Sequence, residues 1–374
     1  MSERAPIRFG IVGCGSASIP VCEALEASPL TEVTAVYDVN DALAQDISQR
    51  FQAAKMESFE QLLANPWVDA VYVAVPHHLL ALLTRRVLEA HKHALTEKPL
   101  GISLQEVDQL IALAADHQLK LGVFYEMRYA PAHALARELI ENGAIGNIVG
   151  IHLQTLIDKP LSYWQSGYSE RSVNPWRGNK AQAGGGVVLM NSSHLLDALF
   201  YITGLHVTRV SAEIGTRTAN VEVEDIASAT LHFHNGAVGS LIAGAHIHGA
   251  HNEEYVSIYG THGQIRLPDP YGSDPLRLYV KKQYEEFLPG QWHSISTEPV
   301  PVYRQAIEEY AAALQGGRDA PINAQAARRV LCVVLAIYQA AAEQKVVSVD
   351  RNFGVQESAA ANLDGTSFNP NVNL

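Results

Sequence analysis

The stretch IRFGIVGCGSASIPVCEALEA at 7–27, followed by TEVTAVYDVN at 31–40, decides the fold. Apolar strand residues 7–12 run into Gly13-Cys14-Gly15-Ser16-Ala17-Ser18. A helical pattern follows, then a β-branched strand over 32–37 that ends at Asp38. In such a loop Gly13 permits the tight turn and Gly15 lets the backbone approach a pyrophosphate, which then meets the unpaired N–H groups of the helix N-terminus. Asp38 follows Ser18 by about 20 residues, where an acid binds both ribose hydroxyls. It would repel a 2′-phosphate, so the expected cofactor is NAD rather than NADP. Ser18 stands where a third Gly or Ala is usual; the order strand, loop, helix, strand, acid carries the reading regardless. The expected cofactor contacts here are Gly13, Cys14, Gly15, Ser16, Ala17 and Asp38, with Cys14 a small filler and not a nucleophile.

Beyond this unit, VDAVYVAVP at 68–76 is a continuous apolar run closed by Pro76, as in a strand buried on both faces. Helical patterns at 79–92 and 103–117 alternate with strand patterns at 93–96 and 120–126, so the fold class is α/β, an N-terminal Rossmann doubly wound parallel sheet over 1–125. After Tyr125 the pattern changes. A helix closed by Gly143 precedes strand-like runs at 147–157, 206–217, 225–234, 237–246, 254–260 and 263–267, and helices return at 302–315 and 324–343. This predicts a second, α+β domain over 126–350, built on a large open, mostly antiparallel sheet. The tail 351–374 is Asn-rich and poor in apolar residues. Strands such as IASATLHFHNGAVGSLIAGAH read as apolar on both faces, which predicts a homodimer or homotetramer through the uncovered face.

A length of 374 residues and an apolar fraction of 47% suit two cores. A net charge of −12 without a basic run excludes a nucleic-acid partner. Three cysteines argue for a reducing, cytoplasmic setting, and VLCVVLAIYQAAA at 330–342 is too short to span a membrane. His232 with His234, and His246, His248 and His251 beside Glu253 and Glu254, show no third-ligand spacing of a known type, so no metal is expected.

Two further clusters carry chemistry. TEKPL at 96–100 places Lys98 at the carboxyl end of a parallel strand, where ligands bind, and Pro99 ends the strand. By its residues alone this pair fits equally a proton-shuttling Lys98 and a surface lysine beside a salt-bridging Glu97. GGGVVLMNSSHLLD at 184–197 is a glycine run entering a helix, with Asn191, His194 and Asp197 at i, i+3 and i+6 on one face. An imidazole suits removal of a hydroxyl proton during hydride transfer, which makes His194 the expected general acid/base. The rival reading is a satisfied polar histidine at a domain interface. The polar, aromatic segment 158–183 just before the glycine run offers Tyr163, Trp164, Tyr168, Trp176 and Arg177 as substrate platforms, or else as loop packing.

With Gly13-Cys14-Gly15, VPHHLL at 75–80, EKP at 97–99, RYAP at 128–131 and GGGVVLMNSSHLLD, the chain resembles the Gfo/Idh/MocA oxidoreductases over nearly its whole length. The resemblance implies a catalytic Lys98, cofactor contacts at Val75, Pro76, His77, Glu97 and Lys98, and substrate contacts at Arg128, Asn191 and Asp197. Relatives often carry an acid four residues before the histidine; here that position is Met190, leaving Lys98 and His194 as the proton relay. The implied activity is hydride transfer to or from a secondary alcohol carbon of a cyclic sugar, sugar derivative or inositol. Two alternatives follow from the same resemblance. One is a redox-neutral NAD-dependent glycosidase with Tyr163 or Tyr168 as an extra base; the other is a non-catalytic dinucleotide-binding regulator.

Overall fold

The computed structural model describes residues 5–171, 173–272 and 274–349. The expected tail, 351–374, lies outside them. The described chain divides into two units: residues up to Val123 together with Tyr310–Arg328, and Phe124–Glu309 together with Arg329–Val349.

The first unit alternates strand and helix in chain order: β1 (Ile7–Val12), α1 (Ser18–Ala27), β2 (Thr31–Tyr37), α2 (Asp41–Arg50), β3 (Ala54–Lys55), α3 (Phe59–Ala64), β4 (Ala70–Val73), α4 (His77–Glu89), β5 (His93–Thr96), α5 (Leu104–Asp116) and β6 (Leu121–Val123). The six strands pair in the order β3-β2-β1-β4-β5-β6, all parallel. The order reverses between β1 and β4, the switch point at which such sheets bind ligands. Every residue of β4 is buried, as its unbroken apolar run requires. Ser103 and Glu106 cap α5 reciprocally.

The expected second domain over 126–350 is interrupted, because Tyr310–Arg328 belongs to this first unit. Tyr310 is fully buried and donates to the carbonyls of Ala94, at 2.8 Å, and Lys120, at 3.2 Å. Gly122 admits the Tyr310 ring, since a Cβ there would lie 2.6 Å from it. The Val123 N–H donates to Ile322 O at 2.8 Å, and Arg328 pairs with Asp108. Aromatic burial and satisfied edge groups thus dock this returning segment.

The second unit begins with a 3₁₀ turn (Glu126–Tyr129), α6 (Pro131–Glu141) and β7 (Ile148–Leu156). Segment 158–183 holds short helices α7 (Tyr163–Ser166) and α8 (Lys180–Ala183). A π-helical turn (Val188–Ser192) leads into α9 (Ser193–Thr203). Then follow β8 (Val207–Gly215), β9 (Ile226–Phe233), β10 (Val238–Gly244), β11 (Glu253–Gly260), β12 (Gly263–Leu267), β13 (Leu276–Val280), β14 (Trp292–Ile295), α10 (Val302–Gly316) and α11 (Ala324–Glu343), two helices that each run partly in the first unit, and β15 (Val347–Ser348). The strands form a nine-stranded sheet in the order β14-β13-β12-β11-β7-β10-β9-β8-β15. Only β7 and β10 run parallel.

One face of this sheet is apolar core, with Leu153, Leu231, Leu241, Val256 and Ile265 buried. Register places Ser228, Thr230 and His232 beside Ile242, Ser240 and Val238 on the other face, and His152 and Gln154 beside Ser257 and Tyr255. This second face therefore mixes polar and aromatic side chains with Val238 and Ile242, and is less apolar than its sequence suggests. The apolar look of IASATLHF comes from alanines that all point into the core, at Ala227 and Ala229.

Candidate functional site

In the first unit the loop after β1 has the backbone that its glycines permit. Gly13 has φ +89, and a Cβ there would meet Ala74 O at 2.1 Å, so only glycine fits the turn. A Cβ at Gly15 would meet nothing within 4 Å, which leaves the room a pyrophosphate needs. Ser18 replaces the usual third small residue without strain: it is buried and donates to Gly15 O at 2.7 Å. Ser16 and Ala17 complete the loop before α1. Asp38 ends β2 and accepts from the Cys14 N–H at 2.7 Å and the Asn40 N–H at 2.7 Å. One lone pair of each oxygen is thus used to fix the carboxylate, and the others are left for ribose hydroxyls. Val75 and Pro76 follow β4, and the largely buried His77 opens α4 at the same sheet end. These features fit a dinucleotide.

Lys98 is half-buried just past β5, and its peptide bond to Pro99 is cis. Its neighbour Glu97 accepts from Tyr72 OH at 2.5 Å and from the Lys98 N–H at 3.3 Å. Burial raises the Glu97 carboxyl above its ordinary range, against the lowering pull of the Lys98 charge. Glu97 is therefore tied to the fold of the turn. The buried hydroxyls of Thr84 and Thr96, 2.9 Å apart, fasten β5 to α4 beneath it.

The second unit positions His194 through its glycine run. A Cβ on Gly186 would lie 1.8 Å from Glu224 O, and one on Gly185 would lie 2.1 Å from Tyr338 OH. Buried Glu224 accepts from the Gly186 N–H at 2.7 Å, the Val188 N–H at 3.0 Å and Tyr338 OH at 2.9 Å. Only bare backbone approaches this closely, which explains the glycines and fixes the start of the π turn. Burial raises the Glu224 carboxyl, and the three donors oppose that rise.

His194 opens α9 with its side chain 12% exposed, and its Nδ1 lies 3.6 Å from Glu126 Oε2. The edge of its ring meets Tyr125 at a centroid distance of 5.8 Å. Glu126 is 4% exposed at the side chain and also accepts from Tyr271 OH. Glu126 and Tyr271 were not among the residues expected at the site. One signal existed: an acid lies two residues before the Arg128 of RYAP, just past a parallel strand. Asp197, one turn along α9, makes a two-pronged ion pair with Arg128. Both were expected at the substrate, and the structure gives them to each other. The Asp197 side chain is 1% exposed and that of Arg128 10%. Burial works against the Arg128 charge, but Asp197 outweighs it and raises the pKa. Asn191 lies on the π turn, and its Oδ1 is buried without a hydrogen-bond partner, an acceptor awaiting a donor.

Segment 158–183 splits in two. Tyr163 and Trp164 are buried, with the fully buried Lys159 Nζ over the Tyr163 ring at 3.8 Å and over Trp164 at 5.7 Å. Tyr163 OH reaches Met190 Sδ at 4.0 Å. These two rings pack the loop. Tyr168 is 59% exposed, and half-buried Arg177 stacks over Trp176 at 4.7 Å and Tyr163 at 5.3 Å. Among the described residues no three His, Cys, Asp or Glu side chains are grouped as a metal site. No described helix is long and apolar enough to cross a membrane.

Comparison with known proteins places this geometry. Residues 7–125 match the oxidoreductase family with an NAD-binding Rossmann fold, and residues 133–266 match the GFO/IDH/MocA C-terminal domain. Levoglucosan dehydrogenase of Pseudarthrobacter phenanthrenivorans is 29% identical over 263 residues, 64% of this chain and 65% of that protein. A dTDP-3,4-didehydro-2,6-dideoxy-alpha-D-glucose 3-reductase of Actinomadura kijaniata is 38% identical over 144 residues, 38% of this chain and 43% of that protein. The matched region thus spans less than two thirds of either relative. A 1,5-anhydro-D-fructose reductase of Ensifer adhaerens is 25% identical over 303 residues, 78% of this chain and 83% of that protein. The structure of a levoglucosan dehydrogenase with NADH and levoglucosan superposes with a TM-score of 0.82 at 24% identity, covering 93% of this chain and 100% of that one, a likeness of fold. With an NAD-binding Rossmann unit and the matching C-terminal domain, this chain belongs to the Gfo/Idh/MocA oxidoreductase family.

Proposed function

We propose that this protein is an NAD-dependent oxidoreductase acting on a secondary alcohol carbon of a cyclic sugar, sugar derivative or inositol. The observation that carries the reading is His194, a largely buried imidazole beside a carboxylate on a helix whose entry is clamped by Glu224. The relatives named for levoglucosan and 1,5-anhydro-D-fructose support a cyclic polyol as substrate. Bound NAD supplies the hydride acceptor, held by Gly13, Cys14, Gly15 and Asp38.

In this reading His194 takes the carbinol proton during oxidation and returns it during reduction. Lys98 hydrogen-bonds the carbinol oxygen and shares that proton. The Asn191 carbonyl accepts from a neighbouring substrate hydroxyl, satisfying its buried oxygen. Exposed Tyr168 and half-buried Trp176 and Arg177 are the members of segment 158–183 suited to a sugar's C–H face and hydroxyls. Arg128 and Asp197 shape the wall of the site through their ion pair. The working form is a homodimer or homotetramer.

The test is turnover of Lys98→Met and His194→Ala on a panel of cyclic sugars and polyols, alongside NAD affinity by fluorescence titration. Each variant should lose roughly 10²–10⁴-fold in kcat, the worth of a positioned acid or base, with NAD affinity little changed. A variant that keeps most of its turnover removes that residue from the mechanism.

A further inference from the structure

The acid expected four residues before His194 is Met190, yet His194 is not without a carboxylate. Glu126, 68 positions earlier in the chain, reaches it from the 3₁₀ turn after β6, with Oε2 at 3.6 Å from Nδ1. Its other oxygen accepts from Tyr271 OH, which approaches from the loop between β12 and β13. The carboxylate is thus gripped at one oxygen and turned toward the imidazole with the other. Both the Glu126 and His194 side chains are largely buried, so solvent screens their interaction weakly. The Tyr125 ring packs against the imidazole in a T-shaped contact.

We propose that Glu126, anchored by Tyr271, is the positioning residue for His194. At 3.6 Å, beyond hydrogen-bond length, the carboxylate acts on the ring through its charge and favours the proton on Nδ1, leaving Nε2 to exchange a proton with substrate. The inference rests on His194 being the acid/base of the proposed function. The chemistry balances simply: Nε2 takes the carbinol proton, the imidazole becomes an imidazolium, and the Glu126 carboxylate stabilises that charge without taking the proton itself. Tyr271 is 52% exposed as a whole, but the crowding of its hydroxyl and the Glu126 charge both raise its pKa, so it keeps its own proton. Other ionisable groups lie around α9: Arg329 near Arg128 and Asp197, Tyr303 near Tyr271, and Tyr201 on the helix itself beneath Arg128 and Arg137. Asp197 and Arg128 pair with each other, and His133 of α6 donates to Met127 O at 2.7 Å. Glu254 of β11 bears on Tyr271 as a more distant charge.

The test is a histidine-selective NMR titration of the full chain in wild type, Glu126→Gln, Glu126→Asp and Tyr271→Phe, with His194→Asn identifying the resonance. Glu126→Gln should lower the His194 midpoint by about one pH unit or more, because an opposite charge at this range favours the imidazolium. Glu126→Asp, which keeps the carboxylate, should restore part of that shift. Tyr271→Phe should move the midpoint the other way, because the carboxylate loses a competing donor. Thermal melts confirm that each variant is folded. An unchanged midpoint in folded Glu126→Gln overturns the pairing.

Kinetics on the panel substrate separate this inference from the reading beneath it. Glu126→Gln should lose about 10²–10⁴-fold in kcat and shift the acidic limb of the pH profile, with KM little affected. If His194→Asn loses turnover while Glu126→Gln keeps wild-type kcat and pH profile, the positioning role is wrong and the His194 assignment stands. If His194→Asn itself keeps its turnover, the His194 assignment falls, and the positioning role falls with it.

Discussion

At the scale of single residues, the site is a set of side chains fixed by backbone or by one another before any ligand arrives. Asp38 shows how. Its two oxygens accept from the Cys14 and Asn40 N–H groups, so the carboxylate proposed to meet the ribose is also a brace for the Gly13 turn. Asp38→Ala should therefore weaken NAD binding and narrow the gap between NAD and NADP, read by titrating each cofactor. A wild type that prefers NADP tenfold, a difference of about 1.4 kcal/mol, contradicts the assignment. Lys98, His194, Arg128 and Asp197 were all legible as residues worth naming. What could not be read was their pairing. Arg128 meets Asp197 across 69 positions, and Glu126 meets Tyr271 across 145. Such contacts depend on how a turn and a sheet loop are folded together, and no spacing records them.

At the scale of elements, periodicity served where the core imposes it and failed where an element depends on its neighbours. β1, β4 and β9–β12 follow directly from apolar runs or alternation. β14 and β15 are four and two residues long, and each pairs with a single strand. The π turn before α9 is set by Glu224 gripping the Gly186 and Val188 N–H groups, so it shows in the sequence only as a glycine run. α6 carries a further consequence. His133 is 1% exposed, and burial lowers its pKa from 6.5 to about 4 despite the bond to Met127 O. The unfolded chain binds this proton more readily, so stability is full above the unfolded value of 6.5 and falls as pH drops from there toward 4. By pH 5 the loss from this group is on the order of 2 kcal/mol. Urea unfolding at pH 7 and pH 5 should show that loss in wild type and a clearly smaller one in His133→Gln. Equal losses in the two proteins would assign the acid sensitivity elsewhere.

At the scale of the whole molecule, the open face of the nine-stranded sheet bears on assembly. Tyr255, Tyr259, Tyr279 and Trp292 lie on it with Arg266 and Arg277, and both arginines stack over Trp292, at 4.7 Å and 5.6 Å. Tyrosine, tryptophan and arginine are the side chains enriched where proteins bind one another. These side chains, with Val238 and Ile242 of the same face, are what favours self-association. Light scattering at micromolar concentration should give the mass of a dimer or a tetramer, and a monomer mass would refute it. The central claim is net hydride transfer on a cyclic polyol, and one assay tests it most directly. The protein is incubated with NAD and the sugar and polyol panel, including glycosides with a chromogenic aglycone, while NADH absorbance and aglycone release are followed together. The account predicts NADH accumulating in step with substrate consumed, abolished in His194→Ala. Aglycone release without net NADH, or NADH formation undiminished in His194→Ala, would contradict it.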